Sequence, residues 1–118
     1  MAKVLVVDDE PETLAFLVRF LRELGHEVVT AANGAEALEK AEAFPPHAIL
    51  LDVKMPGLDG LEVLRRLRGR GVPVILVTAV AEEALRRQDR SALERTAYLG
   101  KPVDLDSLET ALDDAIAL

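Results

Sequence analysis

Four short apolar runs in this 118-residue chain each end on a residue able to do acid, hydroxyl or amine chemistry. Val4–Val7 ends on Asp8 and Asp9, Ala48–Leu51 on Asp52, Val74–Val77 on Thr78, and Tyr98–Leu99–Gly100 on Lys101 followed by Pro102. If the runs are parallel strands of one sheet, all four ends lie on one edge, where open α/β sheets place their ligands. Three carboxylates, a hydroxyl and an ammonium then converge. Two like charges about 4 Å apart repel by roughly 4 kcal/mol at an effective dielectric near 20. Such a group needs a cation, raised pKa values, or both. Lys101 brings one positive charge against three negatives. Hard oxygen ligands with no His or Cys nearby favour Mg2+ over a transition metal. An ion held by few carboxylates keeps several waters and can accept a phosphate oxygen. That points to phosphoryl chemistry, in which an Asp carboxylate can itself be the nucleophile.

The elements that must position these residues are legible in the apolar pattern. Ala48–Leu51 is unbroken rather than alternating, as a strand covered on both faces requires. Pro11 opens a helix whose stripe is Leu14, Leu17, Val18, Leu21 and Leu24, with Phe16 and Phe20 widening it as packing residues and Gly25 ending it. Glu27–Ala31 reads as a second strand, Asn33–Gly34 as a turn, and Ala35–Phe44 as a helix stopped by Pro45–Pro46. Gly60–Arg68 and Glu82–Arg90 read as further helices, and Met55 as packing in the Met55–Pro56–Gly57 turn. Asp104 or Asp106 can cap a last helix with the stripe Leu105, Leu108, Leu112, Ala115 and Ile116, and Asp106 with Glu109 resembles a capping box. Five strands alternating with five helices predict parallel strands with right-handed crossovers in a helix/sheet/helix α/β sandwich. The whole of 1–118 reads as one domain.

Composition narrows the function. Half the residues are hydrophobic, so the chain is expected to be globular. With no cysteine, disulfides, thiol catalysis and thiolate metal sites are excluded. The net charge of −7 gives no reason to expect nucleic-acid or membrane binding. No signal peptide or apolar stretch of spanning length is evident, and a cytoplasmic location is expected. The charge is uneven: residues 65–95 carry eight Arg against four acids, while 96–118 carry one Lys against five. The arginine-rich stretch reads as a solvated face or as a surface for an acidic partner. His26 and His47 lie in connections and read as surface residues without partners.

The stretches Val6–Val7–Asp8–Asp9–Glu10, Leu51–Asp52–Val53–Lys54–Met55–Pro56–Gly57–Leu58–Asp59–Gly60, Val77–Thr78–Ala79 and Tyr98–Leu99–Gly100–Lys101–Pro102 together resemble the receiver domain of two-component response regulators, in its single-domain, chemotaxis-regulator-like form. The resemblance covers essentially the whole chain. It implies a flavodoxin-like (βα)5 fold with strand order 2-1-3-4-5. It implies that Asp52 accepts a phosphoryl group from a sensor histidine kinase or histidine phosphotransfer protein. Asp9 would bind Mg2+ directly, Asp8 mainly through water, Asp52 as the third acid, and the Lys54 backbone carbonyl would complete the set. Thr78 and Lys101 would contact the phosphoryl group, Tyr98 would turn inward on activation, and the Lys101–Pro102 peptide would be cis. A downstream protein target or an output domain, and a phosphorylation-dependent homodimer, are the implied partners. Two readings compete: a constitutive pseudo-receiver, and an aspartyl-phosphate phosphatase. Such a phosphatase carries a second Asp two residues after the nucleophile, where this chain has Lys54. The chain departs from the family at Leu93–Ala97, where Gly-Ala is frequent, and at Val103, where Phe is frequent. Lys54 and Val80 occupy positions that tune phosphoryl lifetime in the family.

Overall fold

Ala48–Leu51, buried along its whole length, is the central strand (β3) of a five-stranded parallel sheet. The structure is a computed structural model and describes residues 2–117 apart from 56, 58 and 95. β1 (Lys3–Val7) and β4 (Val74–Thr78) flank β3, with β2 (Glu27–Ala31) beyond β1 and β5 (Ala97–Gly100) beyond β4. This is the expected order 2-1-3-4-5, with every pairing parallel.

Successive residues of a strand face opposite sides of the sheet, so unbroken apolar runs feed two cores. Leu5, Val7, Ile49, Leu51 and Leu76 pack on one side. That side is covered by α2 (Gly34–Ala43), α3 (Gly60–Arg68), α4 (Glu82–Gln88) and α5 (Arg90–Leu93). Val4, Val6, Leu50, Ile75 and Val77 pack on the other, under α1 (Pro11–Glu23) and α6 (Leu105–Ile116). The result is the predicted helix/sheet/helix sandwich.

Most departures from expectation trace to side chains that serve the backbone. Asn33 is the N-cap of α2, accepting from the Glu36 N–H at 2.8 Å, so the helix starts at Gly34. The segment expected to be one helix over Glu82–Arg90 is two, because Asp89 takes an extended conformation (φ −158°, ψ 92°) and its Oδ1 caps Ala92 at 3.1 Å. Asp104 alone caps α6, accepting from Ser107 N–H, and Asp106 lies inside the helix, so the Asp106–Glu109 capping box is not used. Phe20 packs on the α1 side as expected, but Phe16 is half-exposed, because α1 buries its stripe through Leu17 and Leu21. Met55 packs against the core, while the reading of Pro56 lies outside the described residues. His26 and His47 do have partners: their Nδ1 atoms accept the backbone N–H groups of Ala2 and Lys3 and so hold the start of β1.

The arginine-rich stretch is largely tied to the chain's own acceptors. Arg65 pairs with Glu62 and Asp89, Arg66 with Glu62, Arg70 with Glu42, and Arg86 with Glu82. Arg68 donates to the carbonyls of Ser91 and Ala92, fastening α5 to α3. Arg95 lies outside the described residues. Among the described residues no helix is long and apolar enough to cross a membrane.

Gly60 opens α3 where the chain leaves the loop after β3. A Cβ at this position would overlap the Val53 carbonyl and Cα, so the loop and the first turn of α3 are in backbone contact. Neither neighbour is a flexible side-chain end. Gly60→Ala is expected to destabilise the fold by about 1–3 kcal/mol, the usual range for overpacking, read from urea unfolding followed by far-UV circular dichroism.

Candidate functional site

β1, β3 and β4 end side by side, and the residues after their last apolar positions meet there. Asp52 N–H donates to the Val7 carbonyl at 3.0 Å, and Lys101 N–H donates to the Thr78 carbonyl at 2.9 Å. The ends of β1 and β3, and of β4 and β5, are thus laced by main-chain bonds. Asp8 and Asp52 are buried, at 2% and 4% exposure, and Thr78 is fully buried. Each carboxylate uses one oxygen locally and one at long range. Asp8 Oδ1 accepts from Glu10 N–H and Asp52 Oδ1 from Lys54 N–H, both at 2.9 Å. Their Oδ2 atoms share the Lys101 ammonium, at 2.7 and 2.8 Å. Buried charges persist only when paired and hydrogen-bonded, and each of these is both.

Lys101 has a third partner that spacing did not single out. Glu10 Oε1 lies 3.2 Å from its Nζ. Asp8, Glu10 and Asp52 form the one cluster of potential metal-ligating side chains among the described residues, with their oxygens within 4.8 Å of one another. The signal for Glu10 was its place directly after Asp8–Asp9, but only the rotamer that turns back toward Lys101 makes it a member. Asp9, by contrast, is exposed and outside that cluster. It lines a shallow cavity with Val53, Lys54 and Asp59 at the rim. The Lys101–Pro102 peptide is cis, as the resemblance implied.

Thr78 Oγ1 accepts from Val80 N–H at 3.3 Å, and the Val80 carbonyl accepts from the Tyr98 hydroxyl at 2.6 Å. Val80 is therefore held at both its backbone groups, by the hydroxyl in the site and by the only tyrosine of the chain.

Burial pushes the Asp8 carboxyl above the ordinary Asp range; the Lys101 hydrogen bond and the Glu10 N–H pull against this, and the neighbouring Asp52 charge adds to it. Burial works against the Lys101 ammonium, but its hydrogen bonds to Asp52 and Asp8 and the Asp52 charge outweigh it and hold the group above the ordinary lysine range. The donor set fits a hard divalent cation: all oxygen, anionic in excess, and open to solvent on the Asp9 side. A raised acid pKa means that the folded protein binds more protons, so the Asp8 contribution favours folding at low pH and is lost as pH rises above 3.8, the reference value, through the raised one. A cation needs the carboxylate and competes with that proton. Stabilisation by Mg2+ is therefore expected to be greatest at neutral pH and to fade toward pH 4, checked by thermal melts with and without Mg2+ across that range.

Fold and site together define a phosphoacceptor signalling domain of the doubly wound α/β class. The family model for the response regulator receiver domain matches residues 4–113, and the chain belongs to that family. It is 34% identical over 121 residues to Protein PilH of Pseudomonas aeruginosa, covering 99% of both chains. It is 46% identical over 83 residues to the alkaline phosphatase synthesis transcriptional regulatory protein PhoP of Bacillus subtilis, covering 69% of this chain and 35% of that one. It spans about a third to a half of the length of such transcriptional regulators. Among solved structures it is similar to the response regulator protein TrrA of Thermotoga maritima in complex with Mg2+ and BeF, with TM-score 0.85, 35% identity, and 98% and 99% of the two chains covered.

Proposed function

We propose that the chain is a phosphorylation-dependent switch in which Asp52 is the acceptor. The observation that carries this reading is the buried Asp52 carboxylate, with one oxygen on the Lys54 N–H and the other on Lys101, beside Asp8. The donor is a phosphohistidine of a sensor kinase or phosphotransfer protein. One Asp52 oxygen attacks phosphorus, the P–N bond breaks, and the imidazole leaves with that electron pair and takes a proton from solvent. Asp9 and Asp52 and the Lys54 carbonyl would hold Mg2+, with Asp8 mainly through water, and the ion would supply neutralisation of the developing phosphoryl charge.

The same residues give the switch. Lys101 pairs with the phosphoryl group and Thr78 donates its hydroxyl to it. Val80 N–H is held by Thr78 at 3.3 Å, and Val80 in turn anchors Tyr98. A Thr78 that moves toward the phosphoryl group draws Val80 with it and releases the tyrosine. Moving a population from 1:99 to 99:1 takes about 5.5 kcal/mol. Two hydrogen bonds to a charged group, at about 1.5–3 kcal/mol each, are of that order.

The domain acts by binding rather than turnover, in the cytoplasm, on a downstream protein or an output domain, with pairing of two copies as a further consequence of phosphorylation. The phosphatase reading requires a second acid two residues after the nucleophile, and that position is Lys54. The test is intact mass after incubation with Mg2+ and a small phosphodonor such as acetyl phosphate. One phosphoryl adduct supports the switch. A folded, Mg2+-binding protein with no adduct supports the constitutive module instead.

A further inference from the structure

Glu10 occupies the N-cap position of α1, where a short polar side chain would accept a hydrogen bond from the first turn, yet it makes no such bond. Its backbone is fixed, because its N–H donates to Asp8 at 2.9 Å. Its carboxylate turns away from the helix to Lys101, its sole side-chain partner among the described residues, while remaining 63% exposed. Lys101 carries three N–H donors, and all three find acceptors: Asp8, Asp52 and Glu10. Two of these carboxylates are buried and belong to the acceptor site. The third, Glu10, reaches the ammonium from the exposed rim of the same cluster. An ammonium whose donors are all satisfied must give up at least one bond before it can serve a new anion.

We infer that Glu10 is a positioning residue for Lys101, a resting anchor that competes with the phosphoryl group for the ammonium and so sets the balance between the resting and switched states. The inference rests on the proposed phosphoacceptor function. Glu10 is the arm that can be released without disturbing the buried pair. Asp8 and Asp52 are locked by backbone N–H groups on their other oxygens, whereas the Glu10 carboxylate has no second bond among the described residues. Removing its charge leaves the resting state with one attraction fewer and the switched state unchanged.

The experiment is a titration of Mg2+-loaded protein with beryllofluoride, a phosphoryl mimic that does not turn over, followed by Tyr98 fluorescence. The chain has no Trp and a single Tyr, so the signal reports on that residue. Glu10→Gln is expected to tighten binding by roughly two- to five-fold, the range for a partly exposed ion pair. Glu12→Gln, which removes an acid of the same charge in the next position but one, where no bond to Lys101 is seen, is the control for general electrostatics. The decisive arm is a double-mutant cycle with Lys101→Met, read in all four proteins from the rise in melting temperature with beryllofluoride rather than from Tyr98, in which the Glu10→Gln effect must disappear. Equal tightening by Glu12→Gln, no change in Glu10→Gln, or an effect that survives Lys101→Met would overturn the inference. If the native protein neither responds to beryllofluoride nor forms an adduct, the underlying function fails instead, so the two failures are distinguishable.

Discussion

Asp52→Asn is expected to abolish the phosphoryl adduct entirely while leaving the fold in place. An amide oxygen lacks the charge and nucleophilicity of the carboxylate, so incubation with Mg2+ and acetyl phosphate should leave the intact mass of the variant unchanged. The fold should persist because the side chain keeps its volume and its oxygen can still accept the Lys54 N–H, which now meets Asp52 Oδ1 at 2.9 Å. Lys101 retains Asp8 and Glu10 as partners, so no buried ammonium is left alone. One of three crowded negative charges is also gone. Far-UV circular dichroism and a urea melt on the same sample separate lost chemistry from lost structure. An adduct that survives in the variant would place the acceptor elsewhere and sink the assignment of Asp52.

Lys101→Met is expected to give the largest stability loss in the metal-free protein. Removing one member of a buried ion pair costs about 3–5 kcal/mol, because the partner is left buried and uncompensated. Here two partners are left, Asp8 and Asp52, at 2% and 4% exposure. Lys101 itself keeps 16% of its side chain exposed, which places the loss near the lower end, about 3 kcal/mol. The loss should depend on pH. Burial already raises the Asp8 carboxyl, and without the ammonium it rises further. The folded state then holds its proton to higher pH, and the deficit grows as pH climbs through that raised value. Mg2+ should restore much of the deficit, so the variant gains more stability from the ion than the native chain does. Denaturant melts at neutral and mildly acidic pH, with and without Mg2+, test both statements. A second readout isolates the switch from stability. The variant keeps Asp52 and should still take up a phosphoryl group in Mg2+, but Tyr98 fluorescence should no longer respond to it. A tyrosine that responds normally in Lys101→Met would remove Lys101 from the switch.

The strands and their common edge were legible because each apolar run stops abruptly on a hydrophilic residue, while their order came from the resemblance to the receiver family. Continuous apolar runs demand cover on both faces, which parallel strands with helical crossovers supply. Once parallel, the strands must present Asp8, Asp52, Thr78 and Lys101 on one side of the sheet. That logic is local periodicity plus chain handedness, and it needs no knowledge of side-chain contacts. Helix α3 was readable to the residue for a similar reason: Gly60 and Gly69 bracket one strongly amphipathic stretch.

Tertiary structure decided which of the candidates touch. Asp8 and Lys101 are 93 positions apart in sequence yet share a bond of 2.7 Å. Adjacent Asp8, Asp9 and Glu10 have three different fates, a buried carboxylate, an exposed rim residue and an exposed partner of Lys101, because strand alternation and the entry into α1 aim successive side chains differently. The break between α4 and α5 follows from an Asp89 carboxylate that caps one helix while it pairs with Arg65 of another. His26 and His47 gained partners only when β1 was laid beside them. Residue types and spacing along the chain thus determined the sheet and the set of chemical groups at its edge, since both depend on which residues are neighbours in sequence. The pairing of those groups was decided by the crossovers and rotamers that bring distant residues within hydrogen-bond reach.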